Sequence, residues 1–572
     1  MDKLTWTDLF PVHTGQLELV NLRSGRLDFA GLEPERGMQL LSLFWSRQQA
    51  TGTVVYRPAF MRDMVCNGPY FSNLLLHAIL FLCTKNCQES GPGQSAATDV
   101  CEGRKALRRK LEKAIYHPNT QILCKSNITT IQALLLFSDG LFSWCDEPSL
   151  SWHYLGIAIN MIFDLGLHSE ASTWNCSPEE VEISRRVFWS AYVMDKTQSI
   201  YQGRPPRLSS AYHNVPLMFI DEYEELEPID TAAVYGSVSS ADRMRPSPIY
   251  SVSAFEQLCK LSCVADRILC EIHGESRPAR GSEALVSTAH ELRAELMNWL
   301  AALPEHLGPP TDAYGSYVFT PYHASLPHIL CITLEFHALV ILLHRPFVRG
   351  GHLELELEDG PCARDALGTC VQAAMCIDQL LRHYRSKWCI TSPPYFVTYA
   401  TYVSATIHVR NVARRVNDLH SRRCLQNCLE ILEAHQHVSR VPRRALGILL
   451  RLCRRLKVNV GDTRMDVDDT RVDVGIVRGG AMSISSMLNP PMADTETVQT
   501  DTGWGDAALA SPDSGRAHVS EDAERQARGS GGPSEITDLD SFYASINDLL
   551  EGWRPGVSFD LDPLLGYDQH AC

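Results

Sequence analysis

The chain has 572 residues, 45% of them apolar and 21% charged, which is enough apolar matter for a large core and too much for a mainly unfolded chain. Its 52 Lys and Arg face 67 Asp and Glu, a net charge of −15, and the excess sits at one end: residues 458–572 carry 21 acidic and 7 basic side chains, residues 1–457 carry 46 and 45. A nearly neutral body with an acidic end excludes a basic surface that coats nucleic acid, since such binding needs clustered Lys and Arg to displace counterions, and it favours protein partners.

The first thirty residues hold no unbroken apolar run of the signal-peptide kind, and the run LLLHAILFLC at 74–83 is shorter than a membrane span. An intracellular chain with no membrane partner is therefore expected. Its nineteen cysteines should be reduced, and no C-x2-C occurs. Cys83/Cys87, Cys259/Cys263 and Cys424/Cys428 lie four apart, which puts each pair on one helix face, where packing is the expected role and zinc ligation is not.

In chain order, apolar periodicity predicts a helix over 33–49, with Met38, Leu41 and Trp45 on one stripe. A turn around Arg57–Pro58 comes next, then a buried helix over 69–87, a loop over 88–100 and an amphipathic helix over 106–117. Segments 127–144 and 149–168 are apolar nearly all round and close together, hence an expected antiparallel helical hairpin. Ser177, Pro178 and Glu180 spell a capping box with proline at the first helical position, and that helix should run until Gly203 and Pro205 stop it. An irregular crossing over 221–250 follows. Helical patterns then return at 252–273, 282–302, 324–344, 362–386, 396–417, 422–436 and 441–456. Strand alternation is nearly absent, so the body should be an all-α, multi-helix domain of packed helical hairpins.

Three strings carry a family likeness: ITTIQALLLF at 128–137 with WHYLGIAINMIFDLGLH at 152–168, RRVFWSAYVMDKTQSIYQGRPPRLS at 185–209, and ILLHRPF at 341–347. In this order they resemble the fungal-specific transcription factor domain, the helical regulatory region found downstream of a binuclear zinc cluster in many fungal activators. The likeness spans roughly 35–455. Its motif residues here are Arg185, Arg186, Phe188, Trp189, Asp195, Gly203, Arg204, Pro205 and Pro206, with His344, Arg345 and Pro346 downstream. We read them as holding the fold around a groove that an effector could enter. Phe188, Trp189 and Tyr192 supply large buried rings, and an Asp195–Arg204 pair, buried or solvated, would tie down the turn after the helix.

The resemblance implies a DNA-contacting module of six cysteines and two zinc ions at the N-terminal side. This sequence departs from it there, with its first cysteine at Cys66. Zinc is thus expected only if such a module is encoded upstream, and promoter DNA is a partner only where that module is supplied. The alternative is a non-DNA-binding adaptor or corepressor that holds a zinc-cluster partner through the helical body. A homo- or heterodimer fits either reading. The basic stretches 440–457 and 104–110 are read as solvated faces, with nuclear import as their functional alternative.

An enzyme is not expected. DEYEE at 221–225 and NDLHS at 417–421 imitate the magnesium motifs of terpene synthases, but Leu425 stands where the second motif needs a carboxylate. Phosphate-loop, HExxH and GxSxG patterns are absent, and His153, His168 and His344 sit singly on apolar helices.

Residues 458–533 are poor in large apolar side chains and are expected to be a disordered linker. The last segment, 534–572, combines acid with apolar rings and aliphatics, among them Phe542, Leu549, Leu550, Trp553 and Phe559. It reads as an acidic activation segment that folds when its apolar face enters a coactivator or the transcription machinery; the competing reading is a terminal helix docked on its own body. The expected organisation is therefore a lead-in at 1–32, an all-helical regulatory domain at 33–457, the linker and the acidic segment. Its expected function is that of a nuclear transcription regulator, most simply an activator, of a fungal metabolic or secondary-metabolite gene set.

Overall fold

A computed structural model describes residues 18–459, apart from 48–52, 87–93, 117–121, 221–223, 230–246, 275–281, 310–316, 319–325, 349–360, 390–392, 416–417 and 437–438. Beyond Asn459 the linker lies outside the described residues, as do the acidic segment and its Phe542, Leu549, Leu550, Trp553 and Phe559.

The fold is all-α. Helices α1 (Pro34–Arg47), α2 (Arg57–Cys66), α3 (Asn73–Cys83), α4 (Gln94–Tyr116), α5 (Ile128–Ser143), α6 (Pro148–Asp164) and α7 (Pro178–Gln202) make the first half. The second half is α8 (Ser251–Arg267), α9 (Ser282–Ala301), α10 (Pro327–His344), α11 (Pro361–Lys387), α12 (Tyr395–Arg414), α13 (Leu419–His435) and α14 (Val441–Arg455). A two-residue antiparallel pairing, Pro228–Ile229 with Ser247–Pro248, is the only strand pair among the described residues, and it lies in the crossing expected to be irregular.

Local chemistry explains the boundaries. Ser177 Oγ accepts from the Glu180 N–H while the Glu180 carboxylate accepts from the Ser177 N–H, so the capping box closes on both sides, and Gly203 ends α7 at φ 58°, a left-handed position that suits glycine. Asn127 and Ser72 cap α5 and α3 from one side only, accepting from the Thr129 and Leu75 N–H groups. The α5–α6 hairpin is held by Ser138 and Ser151, whose hydroxyls each donate to the other residue's carbonyl at 2.8 Å.

Two expectations need correction. Arg57–Pro58 opens a helix instead of turning the chain, because a first-turn proline gives up only an N–H that would have been unbonded anyway, and Asn67 at φ 54° closes that helix. The expected loop at 88–100 is helical from Gln94 onward; the glycine-free run QSAATDV adds about two turns ahead of the amphipathic segment.

Apolar burial gathers into two cores. One joins α1–α7 with Phe255, Leu258 and Cys259 of α8; the other joins α8–α14 with Phe142 of α5 and Ile200 and Tyr201 of α7. Helix α10 is long and apolar enough to cross a membrane, but every residue of it is buried in the second core.

Candidate functional site

Helix α7 holds five of the twelve motif residues, Arg185, Arg186, Phe188, Trp189 and Asp195, and it reaches both cores. Phe188 and Trp189 are fully packed; with Tyr192 and His213 they form a cluster of edge-to-face and tilted rings with centroids 4.9–6.2 Å apart. Trp189 Nε1 donates to the Pro216 carbonyl at 3.2 Å, which fastens the chain that returns after the turn.

Two buried charge networks flank this cluster. Arg186, 1% exposed, donates to Glu182 at 2.6 Å, to both Glu224 oxygens at 2.6 and 3.1 Å and to the Ile220 carbonyl at 3.1 Å, with Tyr56 under its guanidinium. Burial works against this cation, yet Glu224 and Glu182 outweigh it and its pKa is raised. Arg185 turns outward to the Met218 carbonyl at 3.4 Å.

The second network centres on Lys196, fully buried between Asp195 at 2.9 Å and Asp266 at 3.1 Å, with its ammonium 4.2 Å from the Tyr192 ring and bonded to the Leu208 carbonyl. Asp195 also accepts from the backbone N–H groups of Arg207 and Leu208 at 2.9–3.1 Å, and Asp266 accepts from that of Ser210 at 3.0 Å. The turn after α7 is thus stitched down by two carboxylates that share one ammonium.

The expected Asp195–Arg204 pair is replaced by this arrangement. Once Gly203 has turned the chain, it is the amides of Arg207 and Leu208 that face Asp195. Arg204 instead lies over Trp152 at 4.8 Å and donates to Ser149 Oγ at 3.2 Å. Pro205 and Pro206 carry the chain between these contacts. Arg207 lies on the same Trp152 ring at 3.7 Å and donates to the Trp152 carbonyl at 2.9 Å; a Cβ on Gly156 would sit 1.9 Å from its guanidinium, so glycine is what admits it there.

His344, Arg345 and Pro346 end α10 in the second core. His344 Nδ1 lies 2.8 Å from the Val340 carbonyl, and burial lowers its pKa. Burial also lowers the pKa of Arg345, while Tyr402 and Tyr399 act to raise it. Tyr399 stands 4.5 Å from Tyr201 at the end of α7, and that ring contact links the two parts of the motif.

Lys196, Asp266 and Glu182 were not singled out in the sequence, and Glu224 was noted only as part of the DEYEE string. A charged pair, Asp195–Lys196, inside an otherwise buried stretch was the available signal. The acidic strings that imitate metal motifs are occupied in capping: Glu225 accepts from the Val252 and Ser253 amides at 3.0 Å, and Asp418 from those of His420 and Ser421 at 3.1 Å. Among the described residues no group of three His, Cys, Asp or Glu side chains is placed to hold a metal ion. Burial raises the thiol pKa of Cys259, Cys424 and Cys428.

Residues 41–301 match the fungal specific transcription factor domain. An uncharacterized transcriptional regulatory protein of Schizosaccharomyces pombe is 28% identical over 66% of this chain and 58% of its own length. The nitrogen assimilation transcription factor nit-4 of Neurospora crassa is 26% identical over 75% of this chain and 37% of its own, and nirA of Emericella nidulans, likewise a nitrogen assimilation transcription factor, 27% over 66% and 40%. The chain thus spans between 37% and 58% of the length of these relatives. No solved structure matches it.

Proposed function

From the premise that residues 41–301 form a fungal specific transcription factor domain, we propose that this chain is a nuclear transcription regulator of a metabolic gene set, and an activator. The observation that carries the reading is that domain match, supported by similarity to relatives that are named transcription factors and regulators. The buried ion networks of α7 support it by giving that helix a holding role: each cation is consumed by carboxylates and backbone carbonyls, which leaves no activated group for chemistry. Two relatives named for nitrogen assimilation make nitrogen metabolism the first gene set to examine.

Activator status rests on residues 534–572, where eight carboxylates and one Arg accompany the rings and aliphatics. Apolar burial in a coactivator groove would supply the binding energy, and the acid would steer encounter. Fused to an unrelated DNA-binding module, residues 533–572 should switch on a reporter. Replacing Phe542, Leu549, Leu550 and Trp553 with Ala should silence it, and neutralising Asp538, Asp540, Asp548 and Glu551 should weaken it less. A silent wild-type fusion removes the activator reading and leaves the adaptor.

A further inference from the structure

Between α9, α10 and α11 lies a cavity of about 650 Å³ that none of the motif residues lines. Leu296 and Met297 of α9, Phe336 and His337 of α10, Gly368 of α11 and Tyr317 from the intervening chain form its wall. The volume falls in the range of small-molecule sites, about 300–1,000 Å³.

The wall also sets the chemistry of the occupant. Leu296 and Phe336 are buried apolar surfaces, and Phe336 is backed by Trp299, stacked at 5.6 Å. Polar groups interrupt them: the Tyr317 hydroxyl and His337 Nε2, 2.6 Å apart, and from α11 Thr369 and Gln372. Burial holds the His337 pKa down at about 3, so this imidazole is neutral and can exchange hydrogen bonds without charge. At the edge Arg293 is paired with Asp365 at 3.2 Å, so the cavity offers no net charge to a ligand. A Cβ at Gly368 would meet nothing within 4 Å, so the missing side chain adds to the space.

We propose that this cavity binds an uncharged, mainly apolar small molecule, aromatic or alicyclic, whose single hydrogen-bonding group meets the Tyr317–His337 pair. Binding is read on the purified chain and stands or falls apart from the regulatory reading.

Nile red, neutral and polarity-sensitive with one ring carbonyl, is the probe. Titration of the full chain should show a blue-shifted, saturable signal with one site. Gly368→Phe fills the cavity from α11 and should weaken binding by at least about tenfold, with circular dichroism and melting unchanged. Met297→Trp acts from a half-exposed position where the fold is not at stake, and should also weaken it about tenfold. The proposal is overturned if the wild-type chain shows no saturable site, or if either folded variant binds Nile red as the wild type does.

Discussion

Helix α10 buries every residue from Pro327 to His344, and α7 every residue from Arg186 to Gln202, yet the two treat ionisable groups in opposite ways. On α7 the buried cations are matched: Arg186 meets Glu182 and Glu224, Lys196 meets Asp195 and Asp266. On α10 they are stripped of charge. Burial takes the pKa of His328 down to about 4 and of His337 to about 3, and lifts that of Glu335 to about 8, with both Glu335 oxygens lacking a hydrogen-bond partner among the described residues. Desolvation disfavours the charged form wherever it is not offset, and on α7 it is offset by carboxylates from the helix itself, from α8 and from the returning chain. The first arrangement fixes one geometry; the second makes stability depend on pH.

The largest effects should therefore come from α7. Lys196→Met leaves Asp195 and Asp266 buried without their shared cation and should cost about 3–5 kcal/mol, the range for breaking a buried ion pair from one side. Denaturant unfolding that places the loss under 1 kcal/mol would mean that the turn amides alone hold those carboxylates. Trp189→Ala empties a large aromatic site and frees the Pro216 carbonyl, with an expected loss of about 3–5 kcal/mol; an unchanged melting temperature would show that the ring is not part of the core.

On α10 the corresponding substitution should act in the other direction. Glu335 has an ordinary pKa of 4.5 and one near 8 in the fold. Between these values the unfolded chain gives up its proton while the folded chain keeps it, so stability falls as pH rises through that window. Glu335→Gln cannot ionise and should be the more stable protein at pH 8, by on the order of 4 kcal/mol, and nearly equal to wild type below pH 4.5. His328 and His337 run the opposite way, losing stability as pH falls below about 6.5. Because both histidines are present in both proteins, the wild-type-minus-variant difference across a pH series of urea melts isolates Glu335. A difference that does not change with pH would place Glu335 in contact with water.

The fold class and most helix boundaries were legible because they depend on neighbours in sequence. The Ser177–Glu180 box, Gly203 and the apolar spacing of α5 and α6 are local signals, and the structure meets each at its expected place. The partners of charged residues were not. Asp195 was matched to Arg204, nine residues along the same turn, whereas its cation is the adjacent Lys196, which in turn binds Asp266 on another helix. Such a pairing exists only after α8 has packed against α7. The 650 Å³ cavity is of the same kind, since it needs α9, α10 and α11 together and half of its polar pair, Tyr317, lies outside any helix. Helix α2 was missed for a local reason: Arg57–Pro58 serves equally as a turn or as a first helical turn, and the choice is made by Phe60 and Met64 entering the first core.

The smallest effect concerns how the two helices begin. Helix α7 opens with a capping box, whereas α10 opens at Leu326, which gives no side-chain cap, with Pro327 in its first turn. Proline at that position removes an orphan N–H but accepts nothing, so the start of α10 depends on burial: Leu326 and Pro327 are both inside the core. Ser177 is exposed, and its hydroxyl satisfies a donor that packing does not reach. Ser177→Ala should therefore cost about 1 kcal/mol, and Ser177→Asp, which can still accept from the Glu180 amide and suits the positive end of the helix dipole, should restore most of that loss. Equal stability of Ser177→Ala and wild type in urea melts would show that tertiary burial from Arg186 onward holds α7 without its cap, as burial holds α10.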